Sequence, residues 1–364
     1  MKLLLPLVAA GLVFPAVASA APGAGSDDIR AVWVTRFEYQ TEADVKAIVA
    51  NCAALGFNTI LFQVRGQADA YYRSSIEPWA ERLGGRDPGF DPLDTACREA
   101  KRRGVALHAW VNVMPAWRGK APPADRNHVC YQRPDWIVVG RDGRRQPFND
   151  HYVCLNPCLP EVREYIVSVL RDLAERYPID GIHLDYVRFI EGEWSYDAKT
   201  LALFGGSPDA KPAAWTQFRK AAVTELVQMT RRMLREMRPN AQLTAAVFPS
   251  ARSRERVLQD AEGWTRRGLV DAVFPMTYDD SDADFREVID EGYGLFAGRA
   301  LCIPGVGAYK HRTADQTVRQ MGMCRSGFAV FSYSSLYVSP DETRKENERL
   351  CRARRDAVKK FLLK

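Results

Sequence analysis

Short apolar runs, each followed by a longer stretch in which apolar residues return every three or four positions, alternate along this chain from residue 30 to near its C-terminal end. The runs that fit strands are 30–37, 58–65, 105–113, 181–189, 242–248, 271–278, 300–306 and 328–334. Helical periodicity fills the intervals at 42–55, 93–103, 160–177, 214–237, 259–267, 285–296, 314–324 and 346–363. Gly56, Gly104 and Gly327 stand between a helical stretch and the next strand, where a left-handed residue closes a helix. Strands joined by helical crossovers are parallel. Eight such repeats fit an α/β fold closed as a (β/α)8 TIM barrel, with a doubly wound open sheet as the alternative.

Two strand-to-helix connections are longer than a barrel requires, 66–92 after the second strand and 114–159 after the third. Both emerge at the C-terminal face, where this fold carries its sites. They hold Tyr71, Tyr72, Trp79, Trp117, Tyr131 and Trp136, a set able to stack against sugar rings or simply to pack the loops.

Composition narrows the class. Hydrophobic residues make up 46% and charged residues 26%, as in soluble globular domains. The 51 Lys and Arg against 45 Asp and Glu leave +6, too small an excess to imply a nucleic-acid partner. Lys2, the apolar stretch Leu3 to Val17 and the small residues Ala18-Ser19-Ala20 read as a secretory signal over 1–20, with an uncleaved membrane anchor as the alternative. The expectation is a periplasmic or secreted protein, one barrel domain over 21–364, with no stable membrane insertion after cleavage. All eight cysteines follow the signal, and a Cys130–Cys154 staple between loop segments is the first disulfide to expect.

The strongest chemical signal is Asp180-Gly-Ile-His-Leu-Asp-Tyr-Val-Arg188. Residues two apart on a strand share a face, so His183 and Asp185 point into the barrel if Leu184 faces the helices. A carboxylate at that strand end costs free energy unless it is paired or functional. Its structural alternative is an ion pair with Arg65 or Arg188. The same logic gathers Gln63 and Arg65 from the second strand, Asn112 from the third, Tyr278 with Asp279 and Asp280 from the sixth, and Glu38 from the first. Amides, carboxylates, guanidinium groups and aromatics converging on one open face suit a carbohydrate. The chain has no phosphate-binding glycine loop, nucleophile elbow or His-Glu-x-x-His helix. Its five histidines are too few and too scattered for a multi-His centre, so no metal and no cofactor are expected.

These strand ends resemble the glycosyl-hydrolase-like family 10, (β/α)8 barrels that include bacterial envelope enzymes, some associated with division, that cleave peptidoglycan glycan strands. The resemblance runs from about residue 29 to residue 335. It rests on Arg30-Ala-Val-Trp-Val, Gly56-Phe-Asn-Thr-Ile-Leu-Phe-Gln-Val-Arg65, Asp69-Ala-Tyr-Tyr-Arg-Ser-Ser-Ile-Glu-Pro-Trp79 and Phe90-Asp-Pro-Leu93. It continues in His108-Ala-Trp-Val-Asn112, Leu155-Asn-Pro157, Pro160-Glu-Val-Arg-Glu-Tyr165, the Asp180–Arg188 segment and Pro275-Met-Thr-Tyr278. It implies hydrolysis of O-glycosidic bonds in a cell-envelope polysaccharide, with Asp185 in the catalytic position. The segment after Arg188 lacks the proline frequent in the family, which leaves the placement of Glu191 and Glu193 open. A chitinase-like acid is disfavoured, because His183 and Val187 stand where that motif carries its first inner Asp and its Glu.

Glycosidases generally pair a protonated carboxyl group with an ionised one. Asp185 is the first member; Asp279, Glu38 and Glu193, in that order, are candidates for the second. Gln63, Arg65, Asn112, His183, Tyr186, Arg188 and Tyr278 are the expected substrate-binding side chains. If the substrate carries 2-acetamido groups, the acetamido oxygen is a possible nucleophile with Asp185 orienting it. The expected partner is a polysaccharide, with other cell-envelope proteins as further candidates. A silent glycan-binding barrel that recruits partners to the wall is the alternative from another class, and a metal-dependent deacetylase the third. The basic stretch 344–364 reads as a closing helix with a solvated outer face.

Overall fold

The computed structural model describes residues 28–338 and 348–363. The expected signal at 1–20 lies outside the described residues. The first three strands are β1 (Ile29–Val34), β2 (Thr59–Arg65) and β3 (Ala106–Asn112). A two-stranded antiparallel excursion follows, β4 (Pro115–Arg118) with β5 (Tyr152–Cys154). The barrel resumes with β6 (Gly181–Asp185), β7 (Gln242–Val247) and β8 (Ala272–Pro275), then β9 (Leu301–Cys302), β10 (Gly305–Val306) and β11 (Gly327–Phe331).

All pairings in the main sheet are parallel, in the order β10-β11-β1-β2-β3-β6-β7-β8-β9. The two ends of that order are halves of one strand position. Between them, Ile303 N donates to Val273 O at 2.9 Å, and Pro304 O accepts from Ala329 N at 2.9 Å. Proline has no N–H to give a ladder, which splits the seventh strand without opening the cylinder. The closed (β/α)8 barrel follows.

Local chemistry sets the helix ends. Thr41 accepts from Asp44 N while the Asp44 side chain accepts from Thr41 N, a capping box opening Glu42–Leu55. Asp91 caps Pro92–Arg103 ahead of a proline at its first position. The sequence pattern does not reveal the short helices Ala198–Phe204 and Ala251–Arg256, whose few turns carry too little periodicity.

Two cores result. Outward-facing strand residues such as Val32, Ile60 and Leu184 pack under the helices, whereas Trp33, Leu61, Trp110, Phe274 and Ile303 fill the cylinder. The loop aromatics Tyr71, Tyr72 and Trp117 are buried in the outer core rather than presented to solvent.

The expected Cys130–Cys154 staple is not formed. All eight cysteines are free, and both of these are buried as small apolar side chains in the outer core. The closing helix is Glu348–Leu362; it buries Cys351, Val358 and also Arg354, whose guanidinium donates to His311 O.

Candidate functional site

The side chains that fill the cylinder also make the floor of a cavity of about 280 Å3 at the C-terminal face. Trp33 at the end of β1 and Trp110 in β3 supply the apolar base, with Phe331 from β11 and Tyr278 beyond β8 beside them. Tyr278 lies 5.1 Å from Phe331 and 6.2 Å from Trp33, centroid to centroid. It is seated by close backbone approach: a Cβ on Gly307 would come within 2.9 Å of Tyr278 Cα. Tyr309 stands at the rim.

One wall is amide and hydroxyl. Gln63 accepts from Arg36 N at 3.0 Å and donates to Asn112 Oδ1 at 3.1 Å. Asn112 Nδ2 donates to Gly66 O at 3.0 Å. Arg36 lies across Gly66, where a Cβ would fall 2.5 Å from its Nε, and donates through Nη2 to Tyr152 Oη at 3.0 Å. Pairing of β4 with β5 sets Arg118 opposite Tyr152, which brings both residues of a long loop to the cleft.

Asp185 ends β6 and lines this cleft. Its Oδ1 accepts from Tyr186 N at 2.7 Å and its Oδ2 from Trp110 Nε1 at 3.2 Å. Tyr186 holds φ at 51°, the left-handed region that a bulky residue occupies only under strain. That turn directs the Tyr186 N–H onto the carboxylate and sends Tyr186 to the wall, 5.0 Å from the Tyr152 ring. Burial pushes the Asp185 carboxyl above its ordinary range, against the pull of the Arg188 charge and of the Tyr186 and Trp110 hydrogen bonds. Among the described residues it has no ion-pair partner within 4.0 Å.

Gln63, Asn112, Asp185, Tyr186, Arg188 and Tyr278 therefore share one cavity. Arg65 does not reach it. The β2–β3 register shifts between Gln63 and Arg65, which ends the simple alternation. Arg65 turns instead to Glu77, with Nε 2.8 Å from Oε2 and Nη2 2.8 Å from Oε1, while Tyr165 Oη donates to Glu77 Oε1 at 2.7 Å. It pins the long loop after β2.

His183 lies inside the barrel beneath the cleft. An indole N–H only donates, so Trp33 Nε1 at 3.1 Å makes His183 Nε2 an acceptor and leaves the proton on Nδ1, 2.9 Å from Thr244 Oγ1. Burial keeps its pKa well below the ordinary imidazole value, as a neutral ring requires. The geometry gives it a place in the core rather than against a substrate.

None of the three candidates for a second carboxylate lines the cleft. Glu38 sits in a tight turn after β1 and is spent on protein donors: Thr35 N at 2.6 Å, Ser334 N at 2.8 Å and Ser332 Oγ at 3.0 Å. Asp279 follows Tyr278 in sequence, but its Oδ1 accepts from Ser281 N at 2.8 Å. Glu193 is exposed on the loop after β6 and pairs with Arg141 at 3.0 Å. Asp185 is the one carboxylate among the described lining residues. The aromatics expected from the long loops are likewise absent from the main cleft, whose own rings are Trp33, Phe37, Trp110, Tyr152, Tyr186, Tyr278, Tyr309 and Phe331. Alternation along β1 and β3 marks Trp33 and Trp110 as inward residues; nothing local marks Tyr152 or Arg118.

Similar proteins put this geometry in context. The chain is 30% identical over 245 residues to the glycosyl hydrolase DigH of Escherichia coli K12, covering 65% of this chain and 53% of that protein. It is 27% identical over 249 residues to the glycosyl hydrolase YngK of Bacillus subtilis, covering 65% of this chain and 44% of that one. It thus spans about half the length of the relatives it matches. Among solved structures, the PgaB (BpsB) glycoside hydrolase domain of Bordetella bronchiseptica superposes with a TM-score of 0.63 at 14% identity, over 86% of this chain and 96% of that one. A β-galactosidase of Bacillus circulans gives 0.63 at 14%, over 92% and 56%. At such identity these two speak for the barrel alone. The family model of the glycosyl hydrolase-like 10 proteins matches residues 28–294, from the first strand past β8 and including Asp185; to that family this chain belongs.

Proposed function

We propose that this protein is an exported glycoside hydrolase that cleaves O-glycosidic bonds of peptidoglycan glycan strands, with Asp185 as the proton donor. The observation that carries the reading is the state of Asp185: a carboxyl group at the floor of an open cleft, without an ion-pair partner, and pushed by burial toward the protonated form. That is the direction in which a general acid must be shifted to protonate a departing glycosidic oxygen. Family membership and the glycosyl hydrolase relatives support a glycosidase. Apolar rings beside amides and hydroxyls suit a pyranose, which has flat C–H faces and a polar rim. Export rests on the signal-like start of the sequence.

With one carboxylate in the cleft, the second role falls to the substrate. The carbonyl oxygen of a 2-acetamido group attacks the anomeric carbon from the face opposite the leaving group as Asp185 transfers its proton, and water then opens the cyclic intermediate, returning a proton to the Asp185 carboxylate. This favours a glycan of 2-acetamido sugars, which peptidoglycan is. The same lone carboxylate also favours a second reading, a barrel that binds glycan strands without cutting them.

One assay separates the two. Purified protein is incubated with peptide-free glycan strands and new reducing ends are counted. Hydrolysis predicts ends released by the wild type, and at least a hundredfold fewer by Asp185→Asn. Binding to strands with no ends from either protein would replace the enzyme with the binding barrel.

A further inference from the structure

We propose that the sugar held in this cleft carries a carboxylate, and that Arg188 is the side chain that receives it. The inference rests on the reading of the cleft as a glycan site and names the class of glycan.

Charge along the cleft lining is unbalanced. Arg36, Arg118 and Arg188 line the cavity, against the single carboxylate of Asp185. Four other buried guanidinium groups are matched: Arg65 with Glu77 at 2.8 Å, Arg163 with Glu225 at 2.8 Å, Arg231 with Asp271 at 2.8 Å and Arg254 with Glu262 at 2.6 Å. Arg188 is only 8% exposed and has no such partner within 4.0 Å among the described residues. Its Nη1 donates to Phe189 O at 3.3 Å, and its Nε has no hydrogen-bond partner at all.

A buried cation with idle donors is costly unless something supplies acceptors. What holds Arg188 in place is aromatic. Its guanidinium carbon lies 4.4 Å from the Tyr186 ring centroid and 4.6 Å from that of Phe248. Ring contacts occupy a face of the guanidinium plane and leave its N–H edge available, and that edge is a fork whose spacing matches the two oxygens of a carboxylate. Arg36, only 4% exposed and likewise without an ion-pair partner within 4.0 Å, adds a second positive charge to the same cavity. Asp69 already lies within electrostatic reach of Arg36, whereas a neutral sugar would leave the N–H edge of Arg188 without a paired acceptor. A pyranose bearing a carboxylate, either as a lactyl ether or as a uronic acid, supplies one.

The test is a binding measurement, so it does not depend on turnover. Asp185→Asn protein is titrated calorimetrically with four oligosaccharides: a peptide-free muramic-type fragment, the same fragment with its carboxyl groups converted to carboxamides, an oligouronide, and its carboxamide. The expected result is that at least one free-carboxylate form binds tenfold or more tighter than its own carboxamide, and that Arg188→Gln in the same background removes most of that preference. Which carboxylate wins identifies the source. Equal affinity for both members of each pair, no binding of either carboxylate, or a preference untouched by Arg188→Gln in a variant that keeps the parent's melting temperature would each overturn the proposal. Its failure is distinct from that of the glycosidase reading. Reducing ends released without a carboxylate preference remove Arg188's role and leave the enzyme; a preference without reducing ends keeps the anion site and removes the hydrolysis.

Discussion

Asp185 shows how one side chain trades stability for chemistry. Burial raises its pKa above the unfolded value of roughly 3.9, so the native state binds this proton more tightly than the unfolded chain does. The stabilisation linked to that proton is fully present below the unfolded pKa and is lost as pH rises through the folded one. At neutral pH the unfolded chain ionises this group more readily than the native state does, so the buried carboxyl is a burden on the fold. Asp185→Asn removes the charge but turns an amide N–H2 toward one of the two N–H donors, so the pH dependence is the test: wild type is expected to lose stability relative to the variant as pH rises from below about 4 to 7. Urea midpoints across that range check it; a difference that does not change with pH would contradict the burial argument. The same shift sets the sign for activity, which falls as pH rises through the Asp185 pKa because a general acid must hold its proton. Glu38 is also pushed upward by burial, yet protein donors surround it, so a displaced pKa by itself does not mark a site.

At the level of elements, the barrel was readable because each strand declares itself by an apolar run and each crossover by its period. The pattern gives the seventh strand as one run, and it is one in position, although Pro304 divides its hydrogen bonding. Alternation also located Gln63, Asn112, Asp185 and Tyr278 at one mouth, since inward residues of neighbouring strands share a parity. It failed where geometry departs from alternation. The shift in β2 carries Arg65 away from the cleft, and the tight turn after β1, with Glu38 N donating to Thr35 O at 3.0 Å, folds Glu38 back into the protein. Tyr152 and Arg118 arrive through the pairing of β4 with β5 across a long loop, a contact with no local signature. The Arg65–Glu77 pair that anchors the other long loop is itself a prediction. Glu77→Ala strands a buried guanidinium and should cost about 3–5 kcal/mol, whereas Glu77→Ala with Arg65→Met should recover much of it. Unequal denaturation midpoints of the single and double variants check this, and identical losses would show that the pair does not hold the loop.

For the whole molecule, the closed cylinder and the cleft are one construction. Trp33 and Trp110 pack the barrel interior and are also the floor of the cleft, so the site inherits the rigidity of the core. The loops contribute the polar and charged wall, and the strand ends contribute the acid. What this assembly brings to the cleft is a single carboxyl group, that of Asp185, among the described lining residues. The account stands or falls on the first product formed from peptide-free 2-acetamido glycan strands, followed by the proton NMR signal of the newly exposed anomeric centre. Participation by the acetamido group inverts that centre twice, so the account predicts a retained anomer from the wild type and none from Asp185→Asn. A first product of inverted configuration, or no anomeric signal at all, would contradict it.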